Sequence, residues 1–127
     1  MSENAQEDKH RMVEYALLAI AYPELVPFVS KILNVAENRL DAVVHLARKN
    51  LERTVVMLKL MGINITKDKI EEILSNESSK INLLSEFYKT HPETILKQKN
   101  LLFLLILNKK VTVKNISTED LLSFLES

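Results

Sequence analysis

Residues 35–62 read VAENRLDAVVHLARKNLERTVVMLKLMG, and the spacing of their apolar side chains decides the fold. Leu40, Val43, Val44, Ala47, Leu51, Val55, Leu58 and Met61 recur at intervals of three and four. That is the stripe of a helix with one buried face, not the alternation of a half-buried strand. The spacing predicts one helix from Val35 to Met61, about seven turns long. Asn34 stands where an N-cap belongs. Gly62, the only glycine of the chain, stands where the stripe ends. A left-handed C-cap favours glycine there, and alanine is expected to cost stability.

The same pattern continues outward in both directions. Upstream, Met12, Val13, Ala16, Leu17, Ile20 and Ala21 mark a helix over about Gln6–Tyr22. Pro23 ends it or bends it, since proline disfavours helix at the residue before it. A second helix is expected over Pro23–Leu33, with proline tolerated in its first turns. Downstream, Thr66 reads as an N-cap for a helix over Lys67–Leu74, with Ile65 and Ile70 at the two ends of a hydrophobic staple. Asn76 is the expected cap of a helix over Glu77–Thr90, broken at His91-Pro92. A further helix is expected over Pro92–Leu107, and its second half, Leu101 to Leu107, is apolar on every side. Lys109 to Lys114 alternates and reads as a short extended piece. Ser117 then caps a last helix, with Ile116 and Leu121 at staple spacing.

Composition agrees with this reading. The chain has 127 residues, enough for one domain with a sizeable core. Hydrophobic residues make up 46%, too many for wholesale disorder. One glycine and three prolines are few for a protein of strands and tight turns. The expected architecture is therefore all-α, an irregular bundle of six to seven helices in a single domain. Residues 1–8 carry nothing to pack and are expected to be mobile. A weak two-part organisation, 9–75 and 76–127, is suggested by an internal echo. Asn64 to Ile70 matches Asn115 to Leu121 in residue type, and each follows a long apolar helix. Helix starts share caps and staples in any protein, and that plainer reading is preferred.

Most chemistry is excluded by what the sequence lacks. No cysteine is present, so disulfides, thiolate metal sites and thiol nucleophiles are ruled out. One glycine cannot build a glycine-rich phosphate loop, and no nucleophile elbow appears. His10, His45 and His91 stand apart from one another. His10 and Glu14, one turn apart, fall short of a metal ligand set. His91, at a helix junction, is placed to bond the carbonyls that close the preceding helix. Glu71-Glu72 and Glu119-Asp120 lie near helix starts, where acids suit the dipole. No cofactor and no catalytic residue is expected. The N-terminus is polar and acidic, unlike a signal peptide, and no apolar run reaches the roughly 20 residues of a membrane span. The expectation is a cytoplasmic protein with no membrane partner.

Two features point to binding. The charges cancel, 17 against 17, but unevenly. Residues 39–60 carry a net +3 and residues 80–115 a net +5, with acidic segments between and around them. His45, Arg48, Lys49, Glu52 and Arg53 fall along one side of the expected long helix, opposite its apolar stripe, with Arg39 nearby. With Lys97, Lys99, Lys109 and Lys110 the basic members form a candidate surface for nucleic-acid phosphates. The plainer reading is a solvated face with Asp41 and Glu52 pairing locally. The second feature is the all-round apolar run, in which Leu101, Phe103, Leu104 and Leu105 are candidates for a protein interface. The plainer reading there is a central buried helix. The function expected on balance is a non-catalytic interaction protein, an accessory subunit or adaptor working through helix faces by binding a protein partner or itself. The alternative is a nucleic-acid-associated subunit using the basic face.

Overall fold

A computed structural model describes residues 2–111 and Leu122, with side chains from Arg11 onward. Eight α-helices occur among the described residues: α1 Ser2–Ala21, α2 Val26–Leu33, α3 Glu37–Leu46, α4 Leu51–Leu60, α5 Lys67–Ser75, α6 Glu77–Thr90, α7 Pro92–Leu96 and α8 Lys99–Leu107. A single 3-10 turn, Pro23–Leu25, joins α1 to α2. No strand occurs among the described residues, so the protein is all-α as the spacing predicts. The expected extended piece at 109–114, the Ser117-capped helix and the second copy of the echo lie largely or wholly outside the described residues. The side chain of His10 does too.

The chain divides into two units, residues 1–77 and 78–127. In the first, α1 packs against α2, α3 and α5, α2 against α3, α3 against α4, and α4 against α5. Its core is aliphatic. Ala16, Ala19, Ile20, Val29, Leu40, Val43, Leu58 and Ile70 are all 0% exposed. Burial of a branched or linear aliphatic side chain is worth about 1.5–3 kcal/mol, so these residues carry the unit's stability. In the second unit α7 packs against α8, and Ile81, Leu84, Phe87, Ile95, Leu101, Leu102 and Leu105 are buried.

Helix ends are closed as local chemistry requires. At α4, Gly62 has φ 83°. The amide of Ile63 donates to Leu58 O at 2.9 Å and that of Gly62 to Lys59 O at 2.9 Å. This is the Schellman pattern, and the apolar contact that accompanies it is supplied by buried Leu58 and Ile63. Thr66 caps α5 by accepting from the amide of Lys69 at 3.3 Å, and both staple residues, Ile65 and Ile70, are buried. α6 has the predicted bounds.

Three expectations are corrected, and two of them, each a single helix that proves to be two, bring the count among the described residues to eight. The long helix over 35–61 is two helices, broken at Ala47–Asn50. Asn50 is extended, with φ −152° and ψ 97°, and its side chain accepts from the amide of Arg53 at 3.0 Å. It is an N-cap that periodicity alone passes over. Asn34 in turn is no N-cap. It closes α2 in the left-handed conformation, φ 56° and ψ 47°. Val35 donates to Ser30 O at 3.0 Å across it, and α3 begins after Ala36 with no side-chain cap. The helix expected over 92–107 also breaks, at Lys97-Gln98, again without a capping side chain.

Candidate functional site

The break between α3 and α4 redistributes the candidate basic face. Arg39 and His45 lie on α3, Arg48 and Lys49 in the turn, and Arg53 on α4. The single helical surface that would have aligned them does not exist. Arg48 is also occupied. Its guanidinium donates to Val44 O at 3.1 Å and to Ile20 O at 2.8 Å. Both carbonyls belong to the last turns of helices, α3 and α1, where orphan acceptors and the negative dipole end welcome a cation. Arg48 thus caps two helices at once and ties the α3–α4 turn to the end of α1.

The remaining members of this set differ among themselves. His45 donates from Nδ1 to Asp41 O at 2.8 Å, with the Asp41 carboxylate 3.7 Å away. Glu52 turns to Lys67 at 3.9 Å, an exposed pair of little energetic weight. Arg39, Lys49 and the Arg53 side chain are exposed and make no ion pair among the described residues. In the second unit Lys97, Lys109 and Lys110 are exposed and Lys99 is half-buried. The two basic sets therefore belong to different units.

The candidate apolar interface is divided by burial. Leu101 and Leu105 are 1% and 0% exposed and belong to the core, which corrects their assignment to an open surface. Leu104 is half-buried. Phe103 is 54% exposed and Leu107 62%, one turn apart on the outer side of α8. A second exposed pair was not foreseen from the sequence. Val56 and Leu60, at 55% and 78% exposed, stand one turn apart on α4. The signal was present, because both residues fall off the Leu51–Val55–Leu58 stripe.

Little else on the molecule offers chemistry. A surface cleft of about 290 Å³ between α1 and α2 is lined by Arg11, Met12, Tyr15, Ile32 and Leu33. It falls at the small end of ligand pockets. Tyr22 is buried, and its hydroxyl has no hydrogen-bond partner among the described residues. Burial, then the charges of Glu77 and Glu24, push the phenol up to about 12. The Thr94 hydroxyl is likewise buried and unbonded among the described residues. The ring of His91 lies 5.0 Å from that of Phe87, with Nδ1 4.0 Å from Glu93. No group of three His, Asp or Glu side chains is placed to hold a metal among the described residues, and no described helix is long and apolar enough to cross a membrane.

The class defined by these features is an all-α protein whose conspicuous surface elements are apolar helix ridges and exposed cations that make no ion pair among the described residues. No family model matches the chain, and neither a curated protein nor a solved structure matches it.

Proposed function

We propose that the chain is a non-catalytic interaction protein, an accessory subunit or adaptor that binds through helix faces. The observation that carries this is the ridge of Val56 and Leu60 on α4, exposed at 55% and 78%. The side chains stand at i and i+4, the spacing at which helical residues meet a partner together. Phe103 and Leu107 repeat the arrangement on α8 in the second unit. Covering one such pair gains a few kcal/mol at about 1.5–3 kcal/mol per side chain. Association costs at least about 4 kcal/mol, so each ridge acts as an anchor within a larger contact.

Sedimentation velocity of the full chain, alone and with candidate partners, tests this reading. Val56→Asp with Leu60→Asp, or Phe103→Asp with Leu107→Asp, is expected to abolish a complex while leaving helicity and midpoint of unfolding near the native values. A strictly monomeric chain for which neither pair alters any association overturns the reading.

A second reading rests on Arg39, Lys49 and Arg53, three exposed cations of the first unit that make no ion pair among the described residues. Here the ligand is a nucleic-acid backbone, and affinity falls steeply with salt. Fluorescence anisotropy with labelled DNA and RNA at two salt concentrations tests it. Arg39→Ala, Lys49→Ala and Arg53→Ala together are expected to remove binding. Binding unchanged in that variant overturns the assignment.

A further inference from the structure

The break at Ala47–Asn50 contains neither glycine nor proline, and its one weak helix former is Asn50. Ala47, Arg48 and Lys49 are all good helix formers, no glycine or proline lies between Glu37 and Leu60, and the apolar stripe passes straight through. The turn itself is nearly helical. Ala47 has φ −58° and ψ −25°, and the amide of Asn50 still donates to Leu46 O at 2.8 Å, an ordinary helical bond. Arg48 and Lys49 make the tighter i→i−3 bonds of a turn, to His45 O at 3.2 Å and Leu46 O at 2.9 Å, and Asn50, with φ −152° and ψ 97°, is extended. Rotating Asn50 into the helical region, with Arg48 and Lys49 relaxed from i→i−3 to i→i−4 bonding, allows the amides of Leu51, Glu52 and Arg53 to reach the carbonyls of Ala47, Arg48 and Lys49.

Two polar devices hold the chain bent instead. The Asn50 side chain occupies the amide of Arg53 at 3.0 Å. Arg48 clips the turn to Ile20 O at 2.8 Å, a contact that spans the chain from the end of α1. Packing holds it too, since α5 lies on both α1 and α4. Straightening strips Ile70 and Ile73 on α5 from that core, where they are 0% and 6% exposed. A lone chain cannot bear that loss. A second copy restores it, because the α1 surface it offers is the one that was vacated.

We infer that residues 47–50 are the hinge of an exchange between two copies of this chain: α3 and α4 fuse into one helix over 37–60, and α5 docks on α1 of the second copy. Exchanges of this kind reuse the contacts of the monomer, so the hinge decides the balance. The inference stands apart from the exposed ridges, which the exchange does not require.

The test uses the full chain, concentrated, incubated near its unfolding midpoint and returned to buffer, then sized by chromatography with light scattering. Asn50→Ala removes the cap and favours the straight helix, and the dimer fraction is expected to rise roughly tenfold, the equivalent of about 1.4 kcal/mol. Lys49→Gly disfavours the straight helix and is expected to lower it severalfold. The absence of cysteine allows spin labels at Arg39→Cys and Lys59→Cys on exposed positions. Twenty residues of unbroken helix separate them by about 30 Å. Dimers are expected to show that distance and monomers a shorter one. A dimer with the monomer's distance overturns the exchange. So does a folded, strictly monomeric Asn50→Ala. A dimer lost in Val56→Asp with Leu60→Asp but indifferent to Asn50→Ala and Lys49→Gly belongs to the ridge and also overturns it.

Discussion

Replacing Arg48 by Ala removes two hydrogen bonds from a charged donor and a cation from two helix ends. The bonds run to Ile20 O at 2.8 Å and Val44 O at 3.1 Å. A hydrogen bond to a charged group contributes about 1.5–3 kcal/mol when buried. Arg48 is exposed, so water replaces it on both carbonyls and screening weakens its field. The dipole contribution at the α1 and α3 C-termini adds about 0.3–1 kcal/mol each. The expected net loss is about 1–2 kcal/mol. With a urea dependence of roughly 1–3 kcal/mol per molar, the midpoint falls by about 0.5–1 M. Arg48→Lys keeps the charge but not the fork that spans two carbonyls, and is expected to recover about half. Molar salt screens the dipole part, so the deficit of Arg48→Ala shrinks without vanishing. Equilibrium urea unfolding followed by circular dichroism measures all three. An Arg48→Ala midpoint within about 0.1 M of the native one, or full recovery by Lys, refutes the view that this guanidinium is a structural cap.

Further expectations concern backbone and burial. A Cβ at Gly62 meets nothing within 4 Å, so Gly62→Ala tests the left-handed φ of 83° alone. The conformational penalty of about 1–2 kcal/mol, less the entropy lost from the unfolded chain, predicts a net loss of about 0.5–1 kcal/mol by urea unfolding. Lys109 has φ 58° and closes α8 with the same pair of bonds, Lys109 to Ile106 O and Lys110 to Leu105 O. Lys109→Gly is expected to stabilise by about 0.5 kcal/mol, the opposite sign, in the same assay. Tyr22, raised to about 12, keeps its proton when folded at a pH where the unfolded phenol, near 10, has lost it. Its contribution is full below pH 10 and is lost as pH rises from 10 through 12. Tyr22→Phe is expected to be neutral or stabilising at pH 7 and to flatten stability between pH 10 and 12 by on the order of 2 kcal/mol. An unchanged alkaline profile contradicts the burial of the phenol.

The pattern of these residues shows where sequence reasoning is strong. Thr66, Ile65 and Ile70 define a helix start from local chemistry alone, and Gly62 defines an end, because cap and staple act within a few residues. The bend at Ala47–Asn50 was hidden for the same reason it is interesting. Its apolar residues stay in phase, and one of its two holding contacts, Arg48 to Ile20 O, joins residues far apart in the chain. Asn50 was the legible hint, a poor mid-helix residue with a cap's side chain. For the apolar run at 101–107, composition gave its burial but not its sides. A helix apolar all round does not announce that Leu101 and Leu105 turn inward while Phe103 and Leu107 turn out. The basic residues show the complementary limit. Spacing suggested a shared face, yet a guanidinium that finds two carbonyls is spent on the fold.

In the proposed reading, the apolar ridges on α4 and α8 carry the function by binding a partner. Quantitative affinity capture with three full-length baits tests it most directly: the native chain, Val56→Asp with Leu60→Asp, and Phe103→Asp with Leu107→Asp. The account predicts that the native bait retains a protein, or a second copy of itself, at near-equal stoichiometry. It also predicts that at least one ridge variant loses that partner while remaining as helical and as stable as the native chain. Identical capture by all three baits, with the native chain monomeric in sedimentation, contradicts it.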